Sequence, residues 1–177
     1  YVGWGEPGER AWPVGQSIGL AAAMRDRYKT TGRFIQALLH NATQSIADAK
    51  TQSPLAPGAA LAESHGTRYP IVQGPMTRVS DKAEFADAVS RAGGLPMLAL
   101  ALMRGEQVAK LLGETRVLLQ DRPWGVGLLG FVPEQLRAEQ VAAINEVKPA
   151  FALIAGGRPD QAAEFEKRGI ATYLHAP

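Results

Sequence analysis

Beyond residue 66 the chain alternates between two hydrophobic rhythms. Short apolar runs fall at about 70–73, 95–102, 124–131, 150–155 and 170–174, and their starts lie roughly 20–30 residues apart. Between the runs, apolar residues recur every three or four positions, the helical period. Phe85, Val89 and Ala92 mark the first such stripe, and Val108, Leu111, Leu112 and Val117 or Leu118 the second. Leu136, Val141, Ile144 and Val147 mark the third, which opens at Pro133-Glu134. The fourth opens at Pro159-Asp160 and stops at Gly169, proline being favoured in a first turn and glycine just past a last one. The runs are continuous, not alternating, as in parallel strands covered on both faces. Four β-α units and a fifth strand are expected, an α/β fold.

The first run shows how each unit is built. Pro70, Ile71 and Val72 lead into Gln73, then a forced turn at Gly74-Pro75 with Met76 at its tip. Asp81 and Glu84 then have the spacing of a helix capping box. Upstream the pattern is different. Residues 1–12 are punctuated by glycine and proline and read as irregular. A helix begins at Pro13 or Gln16 and ends near Tyr28, and a second carries Phe34, Ile35, Leu38, Leu39, Ala42, Ile46 and Ala49 at helical spacing. Two prolines and a glycine in residues 52–58 mark a linker. The organisation is therefore 1–66, a helical extension with a Pro-rich linker, and 67–177, the α/β domain.

Two closures fit five parallel strands. One is an open, doubly wound sheet of flavodoxin type; the other is the first half, strands 1–5, of an eight-stranded (β/α)8 TIM barrel. The chain starts at Tyr1 and stops directly after the fifth apolar run with no covering helix, so it reads as a piece of a longer polypeptide, which favours the barrel.

Composition narrows function by exclusion. The formal charge is +2, and no stretch interleaves lysine or arginine with aromatics, so no nucleic-acid surface is indicated. There is no cysteine, which removes disulfides, thiolate metal sites and a cysteine nucleophile. No apolar run reaches the ~18 residues of a membrane span, and no signal peptide opens the chain. A cytoplasmic protein is the expectation.

Candidate chemistry gathers at the strand ends. Gly74, Gly125, Gly127, Gly130, Gly156 and Gly157 let a ring or a phosphate approach the backbone, or serve as tight turns. Gln73 and Thr77 are placed to hydrogen-bond a heterocycle, and His175 ends the fifth strand, where a barrel would aim it into the mouth. Asp81 and Asp160 read as helix caps, Trp124 as core, and His40 and His65 as structural. No pairing makes a Ser-His-Asp or two-carboxylate engine, and an apolar, glycine-lined cup suits a bound cofactor that supplies the chemistry.

Four stretches together, Tyr69-Pro-Ile-Val-Gln-Gly-Pro-Met76, Phe85-Ala-Asp-Ala-Val-Ser-Arg-Ala-Gly-Gly-Leu95, Pro123-Trp-Gly-Val-Gly127 and Ala155-Gly-Gly-Arg-Pro159, carry a resemblance over roughly 110 residues from Thr67 onward. They resemble the nitronate monooxygenase (2-nitropropane dioxygenase-like) family, which includes flavin-dependent enoyl-acyl-carrier-protein reductases. The wording His65-Gly-Thr-Arg-Tyr-Pro70 and Leu98-Ala-Leu-Ala-Leu-Met-Arg-Gly105 is most similar to such domains embedded in polyketide or polyunsaturated fatty-acid synthases. The resemblance implies a barrel holding FMN at its C-terminal mouth, with Gln73, Gly74, Pro75, Met76, Gly127, Gly156, Gly157 and His175 as cofactor-binding candidates. Relatives often carry Asn where this chain has Gly127. The family's catalytic histidine, in a Gly-Gly-His stretch, falls beyond Pro177, so no catalytic residue is assigned here.

Enoyl-thioester reduction on an acyl carrier is the function the resemblance favours, with NAD(P)H as electron donor and other domains of a megasynthase as partners. Oxidation of a nitronate by O2 is the alternative chemistry. A non-catalytic barrel and a flavodoxin-like binding module are the other readings.

Overall fold

The computed structural model describes Glu6 and residues 15–175. The irregular segment expected at 1–12 and the helix start at Pro13 therefore lie outside the described residues. The chain divides into two compact units, Tyr1–Gln52 and Ser53–Pro177. In the first, a short 3₁₀ helix (Gln16–Leu20) runs into α1 (Ala21–Tyr28), and α2 (Thr31–Gln52) follows. The rings of Tyr28 and Phe34 pack at 5.3 Å across the break between α1 and α2. No residue of α2 is buried, and its expected stripe of Ile35, Leu38, Leu39 and Ile46 is solvent-exposed. Among the described residues, no helix is long and apolar enough to cross a membrane.

The second unit contains α3 (Ala60–His65), β1 (Val72–Gln73), α4 (Ala83–Arg91), β2 (Leu95–Ala99) and α5 (Gly105–Leu119). It continues with β3 (Gly125–Leu129), α6 (Glu134–Val147), β4 (Phe151–Ala155), α7 (Pro159–Glu166) and β5 (Ala171–His175). All strand pairs are parallel, and the sheet runs β1-β2-β3-β4-β5 in chain order. That order decides between the two closures. A doubly wound sheet reverses strand order at its switch point, whereas a β/α barrel adds each strand beside the last. The unit is half of a (β/α)8 barrel.

The two faces of the sheet are read from the register. Leu98, Val126, Leu128, Ala152 and Ile154 point to the helices and join Val108, Leu111, Leu112, Ile144 and Phe165 in the main core. The opposite, inner face holds Met97, Gly125 and Phe151 in one layer and Gly127, Leu153 and Tyr173 in the next. Leu95, Met97 and Phe151 form a separate buried cluster there.

Several local expectations are corrected. On α5 the buried stripe runs through Val108, Leu111, Leu112, Thr115 and Leu119, while Val117 is 76% exposed, because the helical period passes through 115 and 119. Helix α4 starts at Ala83 with Lys82 at its N-cap and no side-chain cap, so Asp81 and Glu84 form no capping box. The neighbouring hydroxyl of Ser80 is engaged elsewhere, as described below. Trp124 is buried as expected, at 5% exposure.

An ion-pair cluster ties α4 to the end of α5. Arg122 donates from Nη2 to Asp87 at 2.6 Å, and its Nε and Nη2 reach the Leu119 and Leu118 carbonyls. Arg91 pairs with the same carboxylate at 2.8 Å. The Arg122 hydrogen bond, with help from Arg91 and against partial burial, holds the Asp87 carboxyl below its ordinary range. A carboxyl lowered by folding adds stability above its ordinary pKa and loses it as pH falls through the lowered value. Asp87→Asn is therefore expected to lower stability at neutral pH and to reduce the acid dependence of the denaturation midpoint, read from thermal melts across acidic pH.

Candidate functional site

Strand β1 is only two residues long because proline brackets it: Pro70 and Pro75 have no N–H to donate to a ladder. The side chain of Gln73 carries the pairing one step further. Its Oε1 accepts the Met97 N–H at 3.2 Å and its Nε2 donates to the Met97 carbonyl at 3.3 Å, so the amide imitates a peptide unit of β1 against β2. Nε2 also bonds the Gly74 carbonyl. Gln73, expected to face a heterocycle, is thus occupied in holding the turn.

The turn itself is fixed from both sides. Ser80 is fully buried, and its Oγ accepts the Met76 N–H at 2.8 Å while its own N–H donates to the Met76 carbonyl at 2.9 Å. The Ser80 carbonyl in turn accepts from Ala99 at the end of β2. Beneath the turn lies Gly127 of β3, where a Cβ would overlap the ring of Pro75. Gly127 thus seats the turn. At Gly74, in contrast, a Cβ would meet nothing within 4 Å, and the Met76 side chain is 43% exposed. The outer surface of Gly74-Pro75-Met76 is open while its inner supports are all committed.

The glycines of the next two loops pack against one another. A Cβ on Gly130 would come within 2.5 Å of the Gly156 carbonyl oxygen and 2.7 Å of Gly157 Cα. Gly156 adopts φ of +62° and donates its N–H to the His175 carbonyl at 2.9 Å. Two buried glutamines brace this rim from the helices. Gln140 donates to the Ala101 and Met103 carbonyls at 3.0 and 2.9 Å. Gln161 donates to the Gly130 carbonyl at 3.0 Å and accepts the Arg158 N–H at 3.0 Å. Each thus holds the βα loop before its own. Gln161→Leu leaves two loop groups unpaired, and an equilibrium urea titration is expected to show a loss of about 1–2 kcal/mol.

A cavity of about 480 Å³ opens on the inner face between β1, β4 and β5, lined by Val72, Pro75, Leu153, Ala155, Tyr173, Leu174 and His175. The walls are mainly aliphatic, with the Tyr173 phenol and the exposed His175 imidazole as polar handles. Burial pushes the Tyr173 phenol above its ordinary pKa, which keeps it a protonated donor. A larger cleft, about 770 Å³, lies on the outside between the first turn of α5 and residues 139–146 of α6. Asp160 bonds Arg158 through both oxygens, at 3.0 and 2.8 Å, which holds its carboxyl below the usual range. It is an ion-pair partner, neither a cap nor a base.

Of the expected site residues, Pro75 and His175 line the cavity and Gly74 and Met76 form the open turn beside it. Gln73 and Gly127 support that turn, and Gly156 and Gly157 join two loops. Sequence reading missed Tyr173, Leu153, Ala155 and Ser80. Alternation along β4 and β5 held the signal, since Leu153 and Ala155, and Tyr173 and His175, are two apart and share a face.

Known proteins with related sequences point the same way. The chain is 40% identical over 88 residues to a nitronate monooxygenase of Pseudomonas aeruginosa, covering 49% of this chain and 24% of that protein. It is 38% identical over 73 residues to one of Paraburkholderia phytofirmans, covering 41% and 19%. The chain thus spans about a quarter or less of these relatives' length. Solved structures share the fold: FabK from Thermotoga maritima (TM-score 0.57, 24% identity, 64% of this chain and 36% of that one) and a nitroalkane oxidase from Streptomyces ansochromogenes (TM-score 0.56, 21% identity, 64% and 42%). Residues 59–162, more than half of the chain, match the family model described as nitronate monooxygenase, and the chain belongs to that family.

Proposed function

We propose that this chain forms one wall of the flavin site of an FMN-dependent oxidoreductase, and that the enzyme is an enoyl-thioester reductase module of a multidomain polyketide or fatty-acid synthase. The observation that carries the reading is the Gly74-Pro75-Met76 turn. Its supports are locked by Gln73, Ser80 and Gly127, and its outer surface is left open beside an apolar cavity. A flat heterocycle calls for such a surface: aliphatic walls, exposed backbone and few polar groups. The residues present fit the ring of FMN. Gly74, Pro75 and Met76 would hold one edge, and Ala155 and His175 would stand across the cavity. FMN, when bound, supplies hydride transfer from NAD(P)H. The chain's own part is to keep the ring surface dry and immobile, with His175 offering an N–H to the cofactor or substrate.

In this reading residues 67–177, with α3 packed against them, are the flavin-binding portion, the part of residues 1–66 that precedes α3 connects it to a neighbouring domain, and the enzyme works in the cytoplasm. The synthase wording of residues 65–70 and 98–105 supports the reductase. Nitronate oxidation is the second reading, supported by the 40% identity to the Pseudomonas aeruginosa nitronate monooxygenase. Assays on the full-length gene product separate them. The reductase consumes NADPH in the presence of crotonyl thioester without taking up oxygen. Oxygen uptake with an alkyl nitronate, and no NADPH consumption with the thioester, would assign the oxidase instead.

A further inference from the structure

We infer that His65 sets the depth of the inner-face cavity by holding the Tyr173 ring in place as its floor. His65 belongs to α3, which packs at the N-terminal end of the strands: a Cβ on the adjacent Gly66 would lie 3.7 Å from Pro123, just before β3. From there the imidazole reaches the inner face and is 6% exposed. Its ring lies 5.2 Å from that of Phe151, the first residue of β4, and 6.0 Å from that of Tyr173, with only 8° between the His65 and Tyr173 planes. Phe151 and Tyr173 complete the triangle at 6.4 Å. Such near-parallel rings fill the barrel interior beneath the cavity.

Hydrogen bonds define the imidazole's state. Nδ1 lies 2.6 Å from the Leu61 carbonyl, which can only accept, so Nδ1 carries the hydrogen. In the neutral imidazole Nε2 then accepts from the Tyr173 hydroxyl, with which it bonds. Tyr173 is also a wall of the cavity, and among the described residues it alone belongs to both the cavity and the ring cluster. Its side-chain torsions would allow other placements on the inner face, and the stack and hydrogen bond from His65 select the one observed. His65 is therefore a positioning residue, and a ligand entering from the mouth stops at the phenol it holds. Where the cavity takes the substrate, a step that rests on the proposed function, the same contact limits how long an acyl or alkyl chain can be.

The test compares the full-length protein with His65→Ala and His65→Asn, the latter keeping a donor for the Leu61 carbonyl if the alanine variant fails to fold. Benzene is the first probe. A space opened below Tyr173 is lined by apolar rings, so the variant is expected by calorimetry to bind benzene at one site more than the unaltered protein, whose inner-face cavity is itself apolar. This arm needs neither flavin nor turnover. The second arm is the ratio of kcat/KM for long over short chains, in thioesters or nitronates, expected to rise roughly tenfold. A purely structural role would lower stability and leave that ratio unchanged. An additional benzene site in the variant of a protein that takes up no FMN supports the inference while refuting the proposed function. A folded variant that binds no more benzene than the unaltered protein and keeps the original chain-length ratio overturns the inference.

Discussion

Replacing Gly127 with alanine is expected to destabilise the barrel unit by about 1–3 kcal/mol, as measured by urea denaturation. The added methyl has no free space, because the Pro75 ring already occupies the position of a Cβ on β3. Pro75 cannot swing aside as a long side chain would: its ring is closed onto its own backbone. That backbone is held in turn by Gln73 on one side and Ser80 on the other. The turn must therefore lift as a whole, breaking the Met76–Ser80 or Gln73–Met97 bonds. The prediction has an internal control. In a Pro75→Gly background, which removes both the Cβ and the Cγ that the methyl would meet, the methyl finds room, so the two substitutions together should cost less than the sum of their separate effects, a coupling of about 1 kcal/mol or more. Additive losses would show that Gly127 and Pro75 do not share this space. Gly127 is, on this account, matched to the proline above it.

The second large effect is expected at Gln73. Gln73→Leu keeps the side chain's size but leaves the Met97 N–H and carbonyl without the amide, and Met97 is fully buried. An unsatisfied buried polar group costs about 1–3 kcal/mol, so a loss of about 2 kcal/mol is expected in the cofactor-free protein. The condition matters, since a residue serving only to bind a cofactor would leave the cofactor-free stability unchanged. Hydrogen exchange gives a local readout: the Met97 amide should lose protection more than the amides of β4. Unchanged stability without cofactor, with weakened FMN uptake, would return Gln73 to the role of direct ligand.

Much of the fold was legible because it rests on short-range patterns. The continuous runs at 95–102, 124–131 and 150–155 each contain an observed strand, since a strand covered on both faces leaves no polar alternation to misread. The first run was read too long because Pro70 and Pro75 limit pairing to Val72 and Gln73. At Asp81 the spacing argument failed for a tertiary reason. The Ser80 hydroxyl is drawn into the Met76 turn, and the helix begins later, at Ala83. Helix α3 has no stripe long enough to announce itself, yet its Ala62 and His65 are buried. The site divides along the same line. Gly74, Pro75, Met76 and His175 stood out as strand-end residues, whereas the tasks of Gln73, Gln140, Gln161 and His65 depend on partners from 24 to 108 positions away. No local rhythm encodes such contacts.

All of these contacts bear on one claim, that the turn after β1 is built to present an open surface to a flavin. The most direct test is the visible absorption of the full-length gene product, purified without added cofactor, followed by identification of what denaturation releases. The account predicts a yellow protein carrying close to one FMN per chain, with Gly127→Ala lowering that occupancy. A colourless protein that also fails to take up added FMN, although folded and stable, would contradict it.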